Sequence, residues 1–202
     1  MRVLIDTDAL CKLAAIGLLE EAATRLGADP KAIERLPALP AMLRRGHLRR
    51  ELGADLADEL LAIANSLPVI PIAPAKTAEL LAGRPEIDPG EVQLLALTAE
   101  ADVLLLSGDK RALRAAANQT VLAARLSRKV VCLEAILLGL CESLGEARVR
   151  QAAKARLGID KVFSICLSPG NASPTDCLQR YLSDIQGQMR PLVLWAPAEA
   201  PG

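Results

Sequence analysis

Short apolar runs alternate along this chain with longer stretches in which hydrophobic residues return every three or four positions. Residues 3–5, 68–72, 103–106 and 129–133 are runs of the first kind and predict β-strands. The segments between them carry the helical period, so the order is strand then helix, which builds a parallel sheet with helices packed on it. The first helix is predicted over 8–25, with Gly27 as its stop. Asp29-Pro30 reads as a cap and first-turn proline for a second, short helix. Further helices are predicted over 41–50 and 54–65. Asp88-Pro89-Gly90-Glu91 is a strong start signal for a helix to about 101, because it combines a cap, a first-turn proline and a Glu at the third helical position. Another helix follows Asp109, and one more runs from the last strand to about 143. Beyond Gly145 the pattern changes to a polar-faced helix over 146–157, a loop at Ser168-Pro169-Gly170-Asn171, and a last helix towards Gln188 capped by Ser173 or Thr175. The end, 196–202, is rich in Pro and Ala and is expected to fray.

The 202 residues suit one domain with an appendage, here placed at 1–144 and 145–202. Hydrophobic residues make up 51% of the chain, with one Phe, one Tyr and one Trp, so the core is aliphatic. Formal net charge is zero, which removes any global field for a polyanion and leaves that work to a local patch. The five cysteines (Cys11, Cys132, Cys141, Cys166, Cys177) are odd in number and form no CxxC pair. With no secretory signal in view, they are expected to be reduced thiols of a cytoplasmic protein. The longest apolar segment, 130–140, is broken by Glu134 and falls short of the roughly 20 residues a membrane span needs. His47 is the only histidine, which excludes a Ser/His hydrolase with its base elsewhere and argues against an ordinary zinc site.

Acids stand at the edges of these elements. Asp6 and Asp8 close the first strand, Glu91 opens a helix, and Asp109 follows the strand at 103–106 through Ser107-Gly108. In an open parallel sheet, ligands bind where the carboxyl ends of strands meet helix starts. Oxygens gathered there would suit a hard divalent cation. Each residue also has a plain structural reading: Asp6, Asp8 and Asp109 as helix caps, Glu91 as the reciprocal member of a capping box. Only their joint placement raises the metal reading.

The strand ending in Asp6-Thr7-Asp8, the Gly90-Glu91 helix start with alanines behind it, and Ser107-Gly108-Asp109-Lys110-Arg111-Ala112-Leu113 together resemble the PIN-domain ribonucleases over about residues 1–140. The resemblance implies a three-layer α/β/α PIN-like fold with a central parallel sheet of four to five strands and, here, a C-terminal helical extension. It implies an endoribonuclease in which Asp6, Glu91 and Asp109 are catalytic and hold Mg²⁺ or Mn²⁺, with Asp8 as a further ligand. Thr7 and Ser107 would steady those ligands, and some such proteins act as toxins checked by an antitoxin-like protein partner. A homodimer is a further expectation, a membrane partner is not. Arg44, Arg45, Arg49 and Arg50 form the one dense basic cluster; with Lys110 and Arg111 they are candidates for RNA phosphates, or plain solvated surface charge. With so few aromatics, base stacking cannot carry recognition.

One position departs from the family pattern. Met42 stands where an acid is expected before Arg44-Arg45-Gly46, and a thioether is a poor ligand for a hard cation. Asp8, Glu51 or Asp55 are the candidate substitutes. Two other classes remain open: a PIN-like binding module with an impaired site, and a haloacid-dehalogenase-like phosphatase, whose opening motif Val3-Leu4-Ile5-Asp6-Thr7-Asp8 resembles. Against the phosphatase, Ala9-Leu10 replaces the Gly or Thr expected just after the second Asp.

Overall fold

Val3–Ile5 forms the first strand, β1, and all three of its residues are buried, as the uninterrupted apolar run requires of a parallel strand covered on both faces. A computed structural model describes residues 1–196, so the expected fraying of the terminus falls largely outside the described residues. After β1 come α1 (Thr7–Ala15) and α2 (Leu19–Arg25), then a 3-10 turn at Pro30–Ala32 capped by Asp29. Next follow β2 (Glu34–Arg35), α3 (Leu39–Arg45), α4 (His47–Leu52), α5 (Ala54–Ser66) and α6 (Ala75–Leu81). The second half holds α7 (Pro89–Glu100), β3 (Leu104–Ser107), α8 (Lys110–Ala117), α9 (Thr120–Leu126), β4 (Val130–Cys132) and α10 (Leu133–Leu144). The chain continues with α11 (Glu146–Ala153), a 3-10 segment (Lys154–Ile159), α12 (Lys161–Cys166) and α13 (Pro174–Gln188).

The four strands are all parallel, in the order β2-β1-β3-β4. Helices flank the sheet, giving an α/β protein of three-layer kind with further helices at its C-terminal end. Val3, Leu4 and Ile5 lie opposite Leu104, Leu105 and Leu106, and Leu105 to Ser107 lie opposite Val130 to Cys132. In this order the connections leave β1 in opposite directions, so the crevice opens between the carboxyl ends of β1 and β3. Asp6 follows the first of these strands and Asp109 the second.

Beyond Gly145 the helices join the same hydrophobic core. Val149, Phe163 and Leu178 are completely buried within it, and α10, buried along Leu133–Cys141, packs against both α11 and α13. Residues 193–195 run beside β4 in the same direction, with Arg128 N donating to Val193 O at 2.7 Å and Trp195 N to Val130 O at 2.8 Å. No described helix is long and apolar enough to cross a membrane.

Four expectations are corrected. The run at 68–72 contributes a single bridge, Val69 against Arg35, because Pro71 has no N–H to continue a ladder. The first helix is two, parted at Gly17, whose positive φ of 67° suits glycine. The helix expected over 41–50 is likewise two, parted at Gly46, where a Cβ would meet Met42 O at 2.7 Å. Finally, the cysteines are not all free. The turn between α12 and α13 brings the Cα atoms of Cys166 and Cys177 to 5.5 Å, and the two form a disulfide, leaving Cys11, Cys132 and Cys141 as buried thiols.

Candidate active site

Asp6 is the hub of the crevice. Its backbone extends β1, its Oδ1 accepts from Ala9 N at 2.6 Å as the cap of α1, and its Oδ2 accepts from Ser107 Oγ at 2.6 Å and Gly108 N at 2.7 Å. The side chain thus ties the ends of β1 and β3 together from a buried position, as well as starting a helix. Burial pushes its carboxyl above the ordinary range, while Ser107 and the Ala9 and Gly108 amides pull the other way. A carboxylate offers about four lone-pair sites. Two on Oδ2 and one on Oδ1 are taken, so Oδ1 keeps one for a further partner.

Asp109 caps α8, its Oδ1 accepting from Arg111 N at 2.8 Å and Ala112 N at 2.9 Å. Asp88 caps α7 in a full capping box, with Glu91 Oε2 accepting from Asp88 N at 2.7 Å. The plain structural reading of these acids therefore holds: Asp88 and Asp109 are caps, and Glu91 closes the capping box. The Glu91 and Asp109 carboxyls lie within hydrogen-bonding reach of one another. Burial and the hydrogen bond to Asp109 push Glu91 up to about 8. On Asp109 burial acts upwards but is outweighed by the hydrogen bond from Glu91 and by the Ala112 and Arg111 amides, so its carboxyl is held below the ordinary range. Of the two, Glu91 is therefore the carboxyl that holds a proton more readily.

A cleft of about 720 Å³ collects these groups. Asp6, Thr7, Asp8, Glu91 and Asp109 line it, together with Asp88, Glu51, His47 and Met42. Of the candidate substitutes for the missing acid, Asp8 and Glu51 reach the cleft and Asp55 does not. Thr7 Oγ1 is buried there without a hydrogen-bond partner among the described residues. Asp8 is engaged by Lys12, whose Nζ lies 2.6 Å from Asp8 Oδ2 and 2.5 Å from Asp160 Oδ2. As the side chains stand, no group of three or more His, Cys, Asp or Glu residues among those described is drawn tightly enough to surround an ion. The acids share a cleft, and only Glu91 and Asp109 are in mutual contact.

The cations divide. Arg44, Arg45, Arg50 and Arg111 are exposed, and α4 contributes His47 and Leu48 to the cleft wall. Arg49 is paired with Asp58 through two bonds of 2.5 and 3.1 Å. Lys110 does not line the cleft; its Nζ lies 2.7 Å from the fully buried Glu134 at the start of α10. Glu134 accepts no well-aligned hydrogen bond, so this ion pair is its compensation. Lys110→Met is expected to cost about 2–3 kcal/mol, discounted for the partial exposure of Lys110, by stranding a buried charge. Denaturant unfolding reads this, and an unchanged midpoint would contradict it.

Sequence reasoning missed Lys12 and Asp160, and missed that Gly158 and Ile159 from the C-terminal region line the cleft. Lys12 reads as one more solvated helix charge, and nothing local links it to Asp160. No protein-family model, curated protein or solved structure matches the chain. The functional reading rests on the site.

Proposed function

We propose that this chain is a divalent-metal-dependent endoribonuclease of the PIN-like kind, with Asp6, Glu91 and Asp109 as the residues that hold Mg²⁺ or Mn²⁺ and Asp8 beside them. The observation that carries the reading is that these acids line one cleft at the β1/β3 crevice, and burial beside Asp109 pushes the Glu91 carboxyl up. The donor set fits the group. All are carboxylate oxygens, which hard cations prefer. Asp6 retains a lone pair, and the unpartnered Thr7 hydroxyl can serve a bound water or ligand. When bound, the ion supplies a Lewis acid and a more acidic water for phosphodiester hydrolysis.

The chain's own residues do the rest. Ser107 and Gly108 N–H fix the angle of Asp6, and the caps on α7 and α8 fix Glu91 and Asp109. Arg44, Arg45 and Arg50 stand close in sequence to the cleft wall of α4, where they would meet RNA phosphates and make binding salt-dependent. Phe163 and Trp195 are buried, so bases are not stacked on them and phosphate and shape dominate recognition.

Met42 in the cleft favours a second reading, a PIN-like binding module with an impaired site, working through a partner such as an antitoxin-like protein or a second copy of the chain. Both are tested with single-stranded and structured RNA in the presence of Mn²⁺ or a chelator. Cleavage that needs Mn²⁺ and drops at least about 100-fold in Asp109→Asn is expected. Equal rates in the variant would overturn the catalytic assignment. No cleavage, with no Mn²⁺-dependent rise in melting temperature, would leave the binding module.

A further inference from the structure

We propose that Lys12 is the resident cation of the cleft: its ammonium, clamped between Asp8 and Asp160, keeps Asp8 out of the metal's ligand set, so that a single divalent ion binds on Asp6, Glu91 and Asp109. The inference rests on the ribonuclease reading and assigns the C-terminal region a task in the site. Lys12 Nζ is 2.6 Å from Asp8 and 2.5 Å from Asp160, and the Lys12 and Asp160 side chains are only 17% and 10% exposed. Such a pair is not the loose surface contact that contributes little.

Asp160 is itself fixed. Its Oδ1 caps α12 by accepting from Val162 N at 2.6 Å and Phe163 N at 3.3 Å, which leaves Oδ2 to Lys12. Phe163 is fully buried, and Cys166 at the end of α12 is bonded to α13, so the helix that carries this cap is anchored twice. Gly158 and Ile159, just before the cap, line the cleft. A dication that took Asp8 would have to sit on Oδ1 while the like-charged ammonium holds Oδ2 of the same carboxylate, and that repulsion disfavours it. Burial alone would lower the Lys12 pKa, but the two carboxylates outweigh it and hold the ammonium charged. Of the three donors of an ammonium, two are used, and the third remains for a phosphate oxygen of the substrate. Lys12 thereby supplies a second positive charge in the cleft, beside one metal ion. Asp8 and Asp160 are positioning residues for that charge.

The test is calorimetric titration of Mn²⁺ into the full chain and its variants, each first shown by circular dichroism to be folded. Wild type is expected to take one ion, lost in Glu91→Gln. Asp8→Asn is expected to keep that ion with affinity within about threefold, since it loses no ligand. Lys12→Met frees Asp8 and is expected to admit a second ion or to tighten the first by about tenfold or more. Asp160→Asn, which keeps the cap, should move the same way, and Lys12→Arg should restore a single ion. Loss of Mn²⁺ binding in Asp8→Asn, or wild-type behaviour in both Lys12→Met and Asp160→Asn, overturns this inference and leaves the ribonuclease reading standing. A wild-type chain that binds no Mn²⁺ overturns both.

Discussion

Asp6→Ala is expected to lower the stability of the fold by about 3 kcal/mol and to abolish metal-dependent cleavage. The stability loss has two sources. The cap of α1 disappears, at about 1 kcal/mol, and Gly108 N–H and the Ser107 hydroxyl lose a buried acceptor, at about 1–3 kcal/mol for an orphaned donor. Ser107 can rotate towards another acceptor, whereas the Gly108 amide is fixed by the turn after β3. Against a total of about 5–15 kcal/mol for a domain this is a large fraction. Asp6→Asn keeps the shape and one acceptor oxygen, so it should cost less stability while losing cleavage to the same extent. Denaturant unfolding of both variants checks the order. If Asp6→Ala unfolds at the wild-type midpoint, Asp6 does not tie β1 to β3 and the crevice is not built as described.

The metal-free protein is expected to lose stability as pH rises through the neutral range, which is unusual for a chain with as many acids as bases. Glu91 has an ordinary value of 4.5 and is pushed up to about 8 in the fold. Between those values the folded chain holds a proton that the unfolded chain has released, so folding is favoured at low pH. The contribution is fully present below about 4.5 and is lost as pH climbs through about 8. Glu91 is half-buried, and solvent screening tempers the size of the effect but not its sign. Its partner Asp109, held below the ordinary range, contributes in the opposite sense and at lower pH. Melting temperature against pH should therefore fall from pH 5 to 8 in wild type and run flatter in Glu91→Gln. Saturating Mn²⁺ should remove the fall, because the dication displaces the Glu91 proton, and Mn²⁺ affinity should rise over the same interval. A wild-type profile that coincides with Glu91→Gln would mean that Glu91 does not hold its proton into the neutral range.

What could be read from the sequence was local. β1 and β3 announce themselves because central parallel strands are apolar on both faces, and Asp29, Asp88, Asp109 and Ser173 announce helices because caps sit at fixed offsets from the turns they serve. The same locality explains the failures. β2 is two charged residues, and Arg35 reads as surface; it is buried because its guanidinium donates to Ala64 O at 2.5 Å and Leu36 O at 3.0 Å, partners the chain supplies only after folding. The break at Gly46 depends on a close backbone approach, which periodicity does not register. In the site, the placement of Asp6, Glu91 and Asp109 along one cleft could be inferred from strand and helix ends, because topology brings such ends to one edge of the sheet. Lys12 with Asp160, Lys110 with Glu134, and Cys166 with Cys177 are choices made by tertiary packing, and no spacing rule marks them.

The central claim is that oxygens from three distant segments share one dication. Anomalous scattering from crystals of the full chain soaked in Mn²⁺ tests it directly. The account predicts one manganese peak in the β1/β3 crevice, about 2.0–2.4 Å from oxygens of Asp6, Glu91 and Asp109. A crevice without manganese, or manganese bound away from Asp6 while Glu91 and Asp109 keep their mutual hydrogen bond, would contradict it.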